Sequence, residues 1–484
     1  MTGEAYDAVV VGSGPNGLTA AVELARRGAS VLVLEAAATV GGGTRSAQLT
    51  LPGYIHDPYS ACHPLGILSP AFTRMPLAEH GLRWLQSDVS VAHPLDDGDA
   101  VLLHRSLEQT ADGLGVDAAA YRRLLAPLLR DPRALLAEIL APPVHLPRHP
   151  LLMARFGLRG LLPATMLARR SFAGERARAV LAGCAAHSVL RLESPLSGAV
   201  GLLFLVTAHV ESWPVAAGGS QAIADALASY LRSLGGTIRT SHRVRSAADL
   251  PPARAYLFDT DPRQLAAIAG PALPGRYLRR LDRYRYGPGV FKVDWALDGP
   301  IPWRDPACAA AATVHLGGTL GEIAAAEAEV MRGGHPDRPY VLMTQQSALD
   351  PSRAPAGHHT GWAYCHVPNG LTLDRTEVIE RQIERFAPGF RDRILARATL
   401  NPAQLEAENP GLVGGAITGG VADIPQAFAR PVARLDPWST PNPRVWLCSA
   451  STPPGGGVHG MCGHNAAMSV LRHLPRLPTA APLV

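Results

Sequence analysis

The sequence predicts an α/β fold: a Rossmann-type domain assembled from separated segments, joined to a discontinuous α+β domain that carries an antiparallel sheet. Three observations predict it. A strand–glycine turn–helix–strand unit opens the chain in AYDAVVVGSGPNGLTAAVELARRGASVLVLEA. A strand–glycine turn–helix unit closes it in RVWLCSASTPPGGGVHGMCGHNAAMSVLRHL. The long stretch between them alternates helix-period and strand-period segments without an evident internal repeat. At 484 residues the chain exceeds what one hydrophobic core holds, so two domains or one large two-lobed unit is expected.

Composition narrows the function classes. Hydrophobic content of 47% against 18% charged residues is that of a globular chain. The net charge of +5 is modest, and basic residues do not cluster among aromatics, so no nucleic-acid partner is expected. Six cysteines form no CxxC pair and no metal spacing, which predicts a reduced, cytoplasmic setting and no metal centre. MTGEAYDAVVVG passes into a strand without a basic leader. No apolar run reaches the ~18 residues that a membrane span needs. Nearly every cation is arginine, a coding bias of GC-rich bacterial genomes; Lys292 is the one lysine.

The first unit reads as a buried strand over 8–11, a turn, a helix from about Gly17 to Arg27, and a strand over 30–34. Gly12 permits the tight turn, Gly14 lets backbone approach a pyrophosphate, and Gly17 lets the helix pack against the strand. Pro15 and Asn16 belong to the same loop, at a helix N-terminus that attracts phosphate. Glu35, followed by Ala36, ends the second strand where a carboxylate accepts ribose hydroxyls. A second glycine cluster, Gly41 to Gly43, continues into Thr44 and Arg45. A bare nicotinamide domain does not need it, whereas the extended FAD molecule requires backbone to pass close there. Arg45 either reaches phosphate or flavin or is a surface arginine.

The closing unit reads as a strand over 445–448, a turn containing Gly456, Gly457, Val458, His459, Gly460 and Met461, and a helix from about 464 to 474. Its helix start suits negative charge on a reduced flavin ring. The Glu35-x5-Gly41-Gly42 spacing, PGGGVHGMCG, WPVAAGGSQAIADALASYLRSLGGTI and AYLFDTDP together resemble the phytoene desaturase-like branch of the flavin amine-oxidase superfamily, over nearly the whole chain. The resemblance implies a glutathione-reductase-like FAD domain from residues 1–70, 213–265 and 440–484, and a substrate domain from 71–212 and 266–439. It implies that Val244 gives backbone contacts to the adenine half of FAD. Ser449-Ala450 stands where related flavoproteins often carry Gly-Asp, so that ribityl contact must be replaced or absent.

In the middle, residues 105–172 read as mostly helical, broken at Pro142-Pro143. The stretch 150–172 is apolar with four arginines; it lies either on a membrane surface as a peripheral contact or in the core with solvated arginines. Residues 286–300, 339–345 and 361–367 read as strands roofing the flavin. Alternation puts Phe291, Val293 and Trp295 on one face and Lys292 and Asp294 on the other. Related oxidases place a lysine on a comparable strand beside flavin N5. Lys292 therefore either faces the flavin or pairs with an ordinary acid, and arginine, forked and always charged, is no substitute. His459, His63 and His366, and less so His315, are further catalytic candidates, each with structural hydrogen bonding as its alternative. GLVGGAITGG (411–420) lacks strand–helix context, so no second nucleotide site is expected.

These readings converge on an FAD-dependent oxidoreductase that desaturates a hydrophobic, isoprenoid or natural-product-like molecule, with oxygen or a quinone as electron acceptor. Amine oxidation, redox-neutral isomerisation, and non-catalytic prenyl binding of the GDP-dissociation-inhibitor type are the alternatives. Oligomeric state is not legible.

Overall fold

The computed structural model describes residues 5–142 and 144–484. One sheet is parallel throughout, in the spatial order Val445–Leu447, Ala253–Phe258, Tyr6–Val11, Val31–Leu34, Thr237–Arg239. Its strands are valine- and leucine-rich because both faces are covered. Ala8, Val10, Val31, Val33, Ala255 and Leu257 face helices Pro15–Ala25, Gln221–Ser233 and Met461–His473. Val9, Val11, Leu32, Leu34, Tyr256 and Phe258 face helices Pro262–Ala269 and Gly275–Leu281. The closing helix starts three residues earlier than the sequence suggests, at Met461. It crosses the Pro15–Ala25 helix closely: a Cβ on Gly463 would stand 1.8 Å from the Asn16 carbonyl oxygen.

The second sheet has seven strands among the described residues, in the order Ile394–Leu400, Gly289–Leu297, His359–Val367, Val341–Thr344, Ala311–Leu316, Val89–His93, Val101–His104. The expected antiparallel sheet is in fact mixed, because Ala311–Leu316 and Val89–His93 run parallel. The hairpin of Val89–His93 and Val101–His104 comes from an earlier segment and joins the sheet edge in the same direction as its neighbour.

The Gly289–Leu297 strand lies between two antiparallel neighbours. Phe291, Val293 and Trp295 pack on Ile379, Ile383, Phe386 and Phe390. Burial of each such side chain contributes roughly 1.5–3 kcal/mol, which pins the register and sends Lys292 and Asp294 to the opposite face. Helices Pro150–Gly160, Ala164–Ser171, Glu175–Ala186 and Ser197–Glu211 pack in one cluster with Leu342, Trp362 and Tyr364 of that other face. The helical run before them is split by Asp131-Pro132: Asp131 caps the Pro132–Ile139 helix by accepting the Ala134 N–H at 3.0 Å. The break expected at Pro142-Pro143 falls partly on residue 143, outside the described residues. No single helix among the described residues is long and apolar enough to cross a membrane.

Candidate functional site

A cavity of about 800 Å³ joins the two lobes, running from the first glycine loop to the second sheet. At one end the wall is nearly all backbone. Gly12 sits at φ +99°, and a Cβ there would meet the Asp259 carbonyl oxygen at 2.7 Å. A Cβ on Gly42 would stand 2.8 Å from the Gly14 Cα, so the two glycine clusters touch because neither carries a side chain. Gly12, Gly14, Pro15, Asn16, Gly42, Gly43 and Arg45 line the cavity, as do Ala36 and Val244. Gly17 stands one layer back; a Cβ there would lie 2.3 Å from the Gly12 oxygen, so it serves the packing of helix on strand. Thr44 is buried and bonds its hydroxyl to the Gly41 oxygen at 2.8 Å, fixing the second glycine turn without lining the cavity.

Glu35 is held by the loop it faces. Its Oε2 accepts the Ser13 N–H at 2.9 Å and the Ser13 hydroxyl at 2.5 Å; Oε1 accepts the Ala37 N–H at 2.8 Å and lies 3.3 Å from an Arg45 guanidinium nitrogen. Asp259, which sequence reading missed, lies beneath Gly14 and accepts the Gly17 N–H at 2.8 Å. Burial pushes its carboxyl up to about 7, opposed by that hydrogen bond and reinforced by the Glu35 charge. Its only sequence signal was the first acid of FDTDP.

The C-terminal turn forms the middle of the wall. Gly456, Gly457, Val458 and His459 line the cavity. Gly460 and Met461 do not: Gly460, at φ +66°, starts the closing helix against Thr19 and Phe72, and Met461 packs in the core of the first lobe. His459 is fully buried, its Nδ1 accepting the Met461 N–H at 3.0 Å, and burial lowers it to about 4. His63 is bonded to the Ser220 hydroxyl at 2.9 Å and is likewise lowered to about 4 by burial. Both are neutral imidazoles at neutral pH. The stretch 411–420, read from sequence only as lacking nucleotide-site context, supplies Gly411, Leu412, Ile417, Thr418 and Gly419 to the cavity.

The far end is apolar. Phe156, Leu203, Phe204, Val290, Leu342 and Leu405 line it, with Trp362 and Tyr364. Lys292 is the cation there. It lines the cavity yet is only 2% exposed, and it donates to the Asp294 carboxylate. The structure merges the two sequence readings of this lysine: it is ion-paired, but at the cavity wall and not at the surface. Burial holds its amine below the ordinary value although Asp294 opposes this, and burial raises Asp294 to about 6. His366 is not at the cavity. It lies two residues beyond Tyr364 on the same strand, past the cavity's edge, and its Nδ1 contacts both Glu327 oxygens at 2.9 Å. His315 is also outside; it stands 3.0 Å from Nε2 of His187, which does line the cavity.

The residues fit a bound dinucleotide. Two side-chain-free turns cross at the N-terminus of the Pro15–Ala25 helix. Buried polar atoms at the same wall, Asn16 Oδ1, Arg45 Nε and Arg430 Nε, lack partners within the described residues. Fold and cradle together define a dinucleotide-binding domain joined to a second lobe across a shared cavity. A family model described as an NAD(P)-binding Rossmann-like domain matches residues 10–65. The chain is 28% identical to pyridine nucleotide-disulfide oxidoreductase domain-containing protein 2 of Rattus norvegicus, over 98% of its own length and 94% of that protein. It is 32% identical to one of the limonene dehydrogenase polypeptides of Castellaniella defragrans over a shorter region, 22% of this chain and 19% of that one. A solved structure of putrescine oxidase with putrescine shares the fold, with a TM-score of 0.62 over 97% of this chain and 99% of that one at 17% identity.

Proposed function

We propose that this protein is an FAD-dependent oxidoreductase that dehydrogenates an apolar small molecule, in the manner of the phytoene desaturase-like flavoproteins. The observation that carries the reading is the continuity of one cavity, from a side-chain-free diphosphate cradle to an apolar chamber with a buried amine in its wall. Gly12, Gly14, Gly42 and Gly43 would flank the diphosphate, Glu35 the ribose, Val244 the adenine half and Gly456 to Val458 the flavin ring. When bound, FAD would supply hydride acceptance from substrate carbon, with oxygen or a quinone as the final electron acceptor.

The chain's own residues bind, orient and move a proton. The largely apolar chamber favours an uncharged hydrocarbon, with Lys292, Thr313, Thr344 and Glu408 as polar groups in its wall. Lys292, held below its ordinary pKa by burial, is the group able to take the second hydrogen as a proton when a C–H pair becomes a double bond. His459 and His63, neutral and buried, shape the wall by hydrogen bonding. The limonene dehydrogenase relative supports a hydrocarbon substrate. Amine oxidation is less well supported: Trp362 and Tyr364 meet edge to face at 88°, so they do not form two parallel walls around an amine.

Access for such a substrate is proposed from an anionic bilayer surface, with the protein in the cytoplasm. Val144, Leu146, Leu151, Leu158 and Leu161 are more than half exposed near the chamber-lining residues Met153 and Phe156. Arg148, Arg155 and Arg159 lie in the same segment. Apolar protrusions ringed by arginine suit a negatively charged membrane face.

Anaerobic mixing tests the reading. Monoterpene-like alkenes are expected to bleach the flavin and diamines to leave it coloured; bleaching by diamines alone would overturn the substrate class.

A further inference from the structure

Behind Lys292 stands a set of buried groups that binding of substrate or cofactor does not require. Lys292 and Asp294 project from the same face of one strand, and Lys292 donates to Asp294 Oδ2. Among the described residues the other oxygen, Asp294 Oδ1, has no hydrogen-bond partner, and neither has His56 Nδ1; the two lie 3.7 Å apart. The far nitrogen, His56 Nε2, is 2.8 Å from the Thr50 hydroxyl. Asp294 and His56 are 1% and 0% exposed, whereas Thr50 is partly exposed, in a turn whose Pro52 and Gly53 are in solvent. The four side chains thus lead from the chamber wall to the protein surface.

We infer that Lys292, Asp294, His56 and Thr50 form a proton relay connecting the buried amine with bulk solvent. The inference rests on the dehydrogenation reading. Removing two hydrogens from substrate sends one out as a hydride and the other as a proton to the Lys292 amine. The ion pair makes room for it: an N–H bond of the Lys292 ammonium breaks as an O–H forms on Asp294 Oδ2, and the amine so freed takes the substrate proton. The Asp294 carboxyl then turns its O–H toward His56 and gives that proton to Nδ1, the two side chains closing the 3.7 Å between them, while His56 Nε2 releases its own toward Thr50 and water. Reoxidation by oxygen or a quinone needs a proton back. It travels inward over the same atoms, entering at Nε2 and leaving at Nδ1, which restores the first imidazole tautomer. One proton goes out and one returns per turnover.

The surrounding charges favour this route over a fixed ion pair. Asp57, beside His56, is bound to Arg353 at 3.0 Å, and Arg353 also holds Asp350 at 3.1 Å, so that neighbouring cation and its acids satisfy one another. Glu408 lines the cavity, and the Trp362 ring lies 5.6 Å from the Lys292 nitrogen. Burial raises Asp294 and lowers Lys292, which brings the two groups closer in proton affinity and eases transfer between them. Burial lowers His56 to about 4, so the imidazole passes a proton without retaining it. A buried histidine with an unpaired nitrogen costs stability, and an apolar residue would fill the site without that cost.

The sole lysine makes the test direct. Protein grown on lysine labelled with 13C at Cε and 15N at Nζ gives one side-chain resonance, and its deuterium isotope shift reports solvent exchange at Nζ. In the purified full chain with its cofactor, His56→Phe is expected to slow that exchange at least tenfold, and the milder Thr50→Val about threefold. Unchanged exchange in a folded Thr50→Val protein, or in both variants, would overturn the relay. The visible spectrum of the same samples tests the cofactor separately: a colourless protein sinks the flavin reading, and its exchange comparison still decides the relay.

Discussion

Replacing Asp259 by Asn tests how the cradle handles charge. The carboxylate competes for the helix N-terminus that a cofactor diphosphate would use, and its Oδ2 accepts the Gly17 N–H at 2.8 Å. Its pKa stands near 7 in the folded protein against an ordinary value of 3.8. Between those values the native state holds a proton that the unfolded chain has lost, so the contribution of Asp259 to native stability is greatest below pH 4 and declines as pH rises to about 7. At 1.36 kcal/mol per pH unit over roughly three units, the ceiling is about 4 kcal/mol. Asp259 borders the open cavity, so water screens it and about 1–2 kcal/mol is expected. Asn keeps an acceptor for Gly17 and removes the titration. Urea unfolding of cofactor-free protein at pH 5 and pH 8 checks this: the variant's stability relative to wild type should rise by that amount at the higher pH. Affinity for FAD, measured by fluorescence quenching, should fall with pH in wild type and stay flatter in the variant. Equal pH dependence in the two proteins would refute the reasoning.

Three further outcomes follow from the same geometry. Lys292→Met should retain FAD but slow anaerobic flavin reduction by about 10²–10⁴, the usual contribution of a positioned acid–base group, as followed by stopped-flow absorbance. It should also leave Asp294 buried without the cation that lowers its carboxyl, so that the variant's urea midpoint relative to wild type falls as pH rises above the ordinary aspartate value of 3.8. Gly17→Ala places a Cβ 2.3 Å from a backbone oxygen; overpacking of about 1–3 kcal/mol and loss of bound flavin are expected, read by thermal unfolding and by the absorbance of the purified protein. Leu158→Glu with Leu146→Glu should abolish sedimentation with phosphatidylserine vesicles while leaving flavin content unchanged.

The cradle was legible because its constraints are local. A glycine at a positive φ, a helix beginning within three residues, and an acid at the end of the next strand are written in adjacent letters, and Gly12, Gly14 and Glu35 lie at the cavity wall. Strand alternation likewise separated Lys292 from Phe291 and Trp295. What alternation cannot state is where along a face the cavity ends. Trp362, Tyr364 and His366 share a face, yet the first two line the cavity and the last bonds to Glu327 outside it. Asp259 escaped notice because an acid beneath a phosphate site opposes the expected electrostatics, and only the fold shows burial keeping it protonated. The parallel pair in the second sheet was illegible for a different reason: it joins residues more than 200 positions apart. His56 carried no signal, since Asp294 meets it only through tertiary packing, while Thr50 meets it across a local turn closed by the Ala47–His56 bridge.

The central claim is that FAD occupies the cavity between the lobes. Cofactor content decides it most directly: purified full-length protein is denatured, the released small molecule is separated, and its absorbance and identity are compared with authentic FAD. A yellow protein releasing close to one FAD per chain is expected, with Gly17→Ala protein releasing little. A colourless protein that also fails to take up added FAD would contradict the claim.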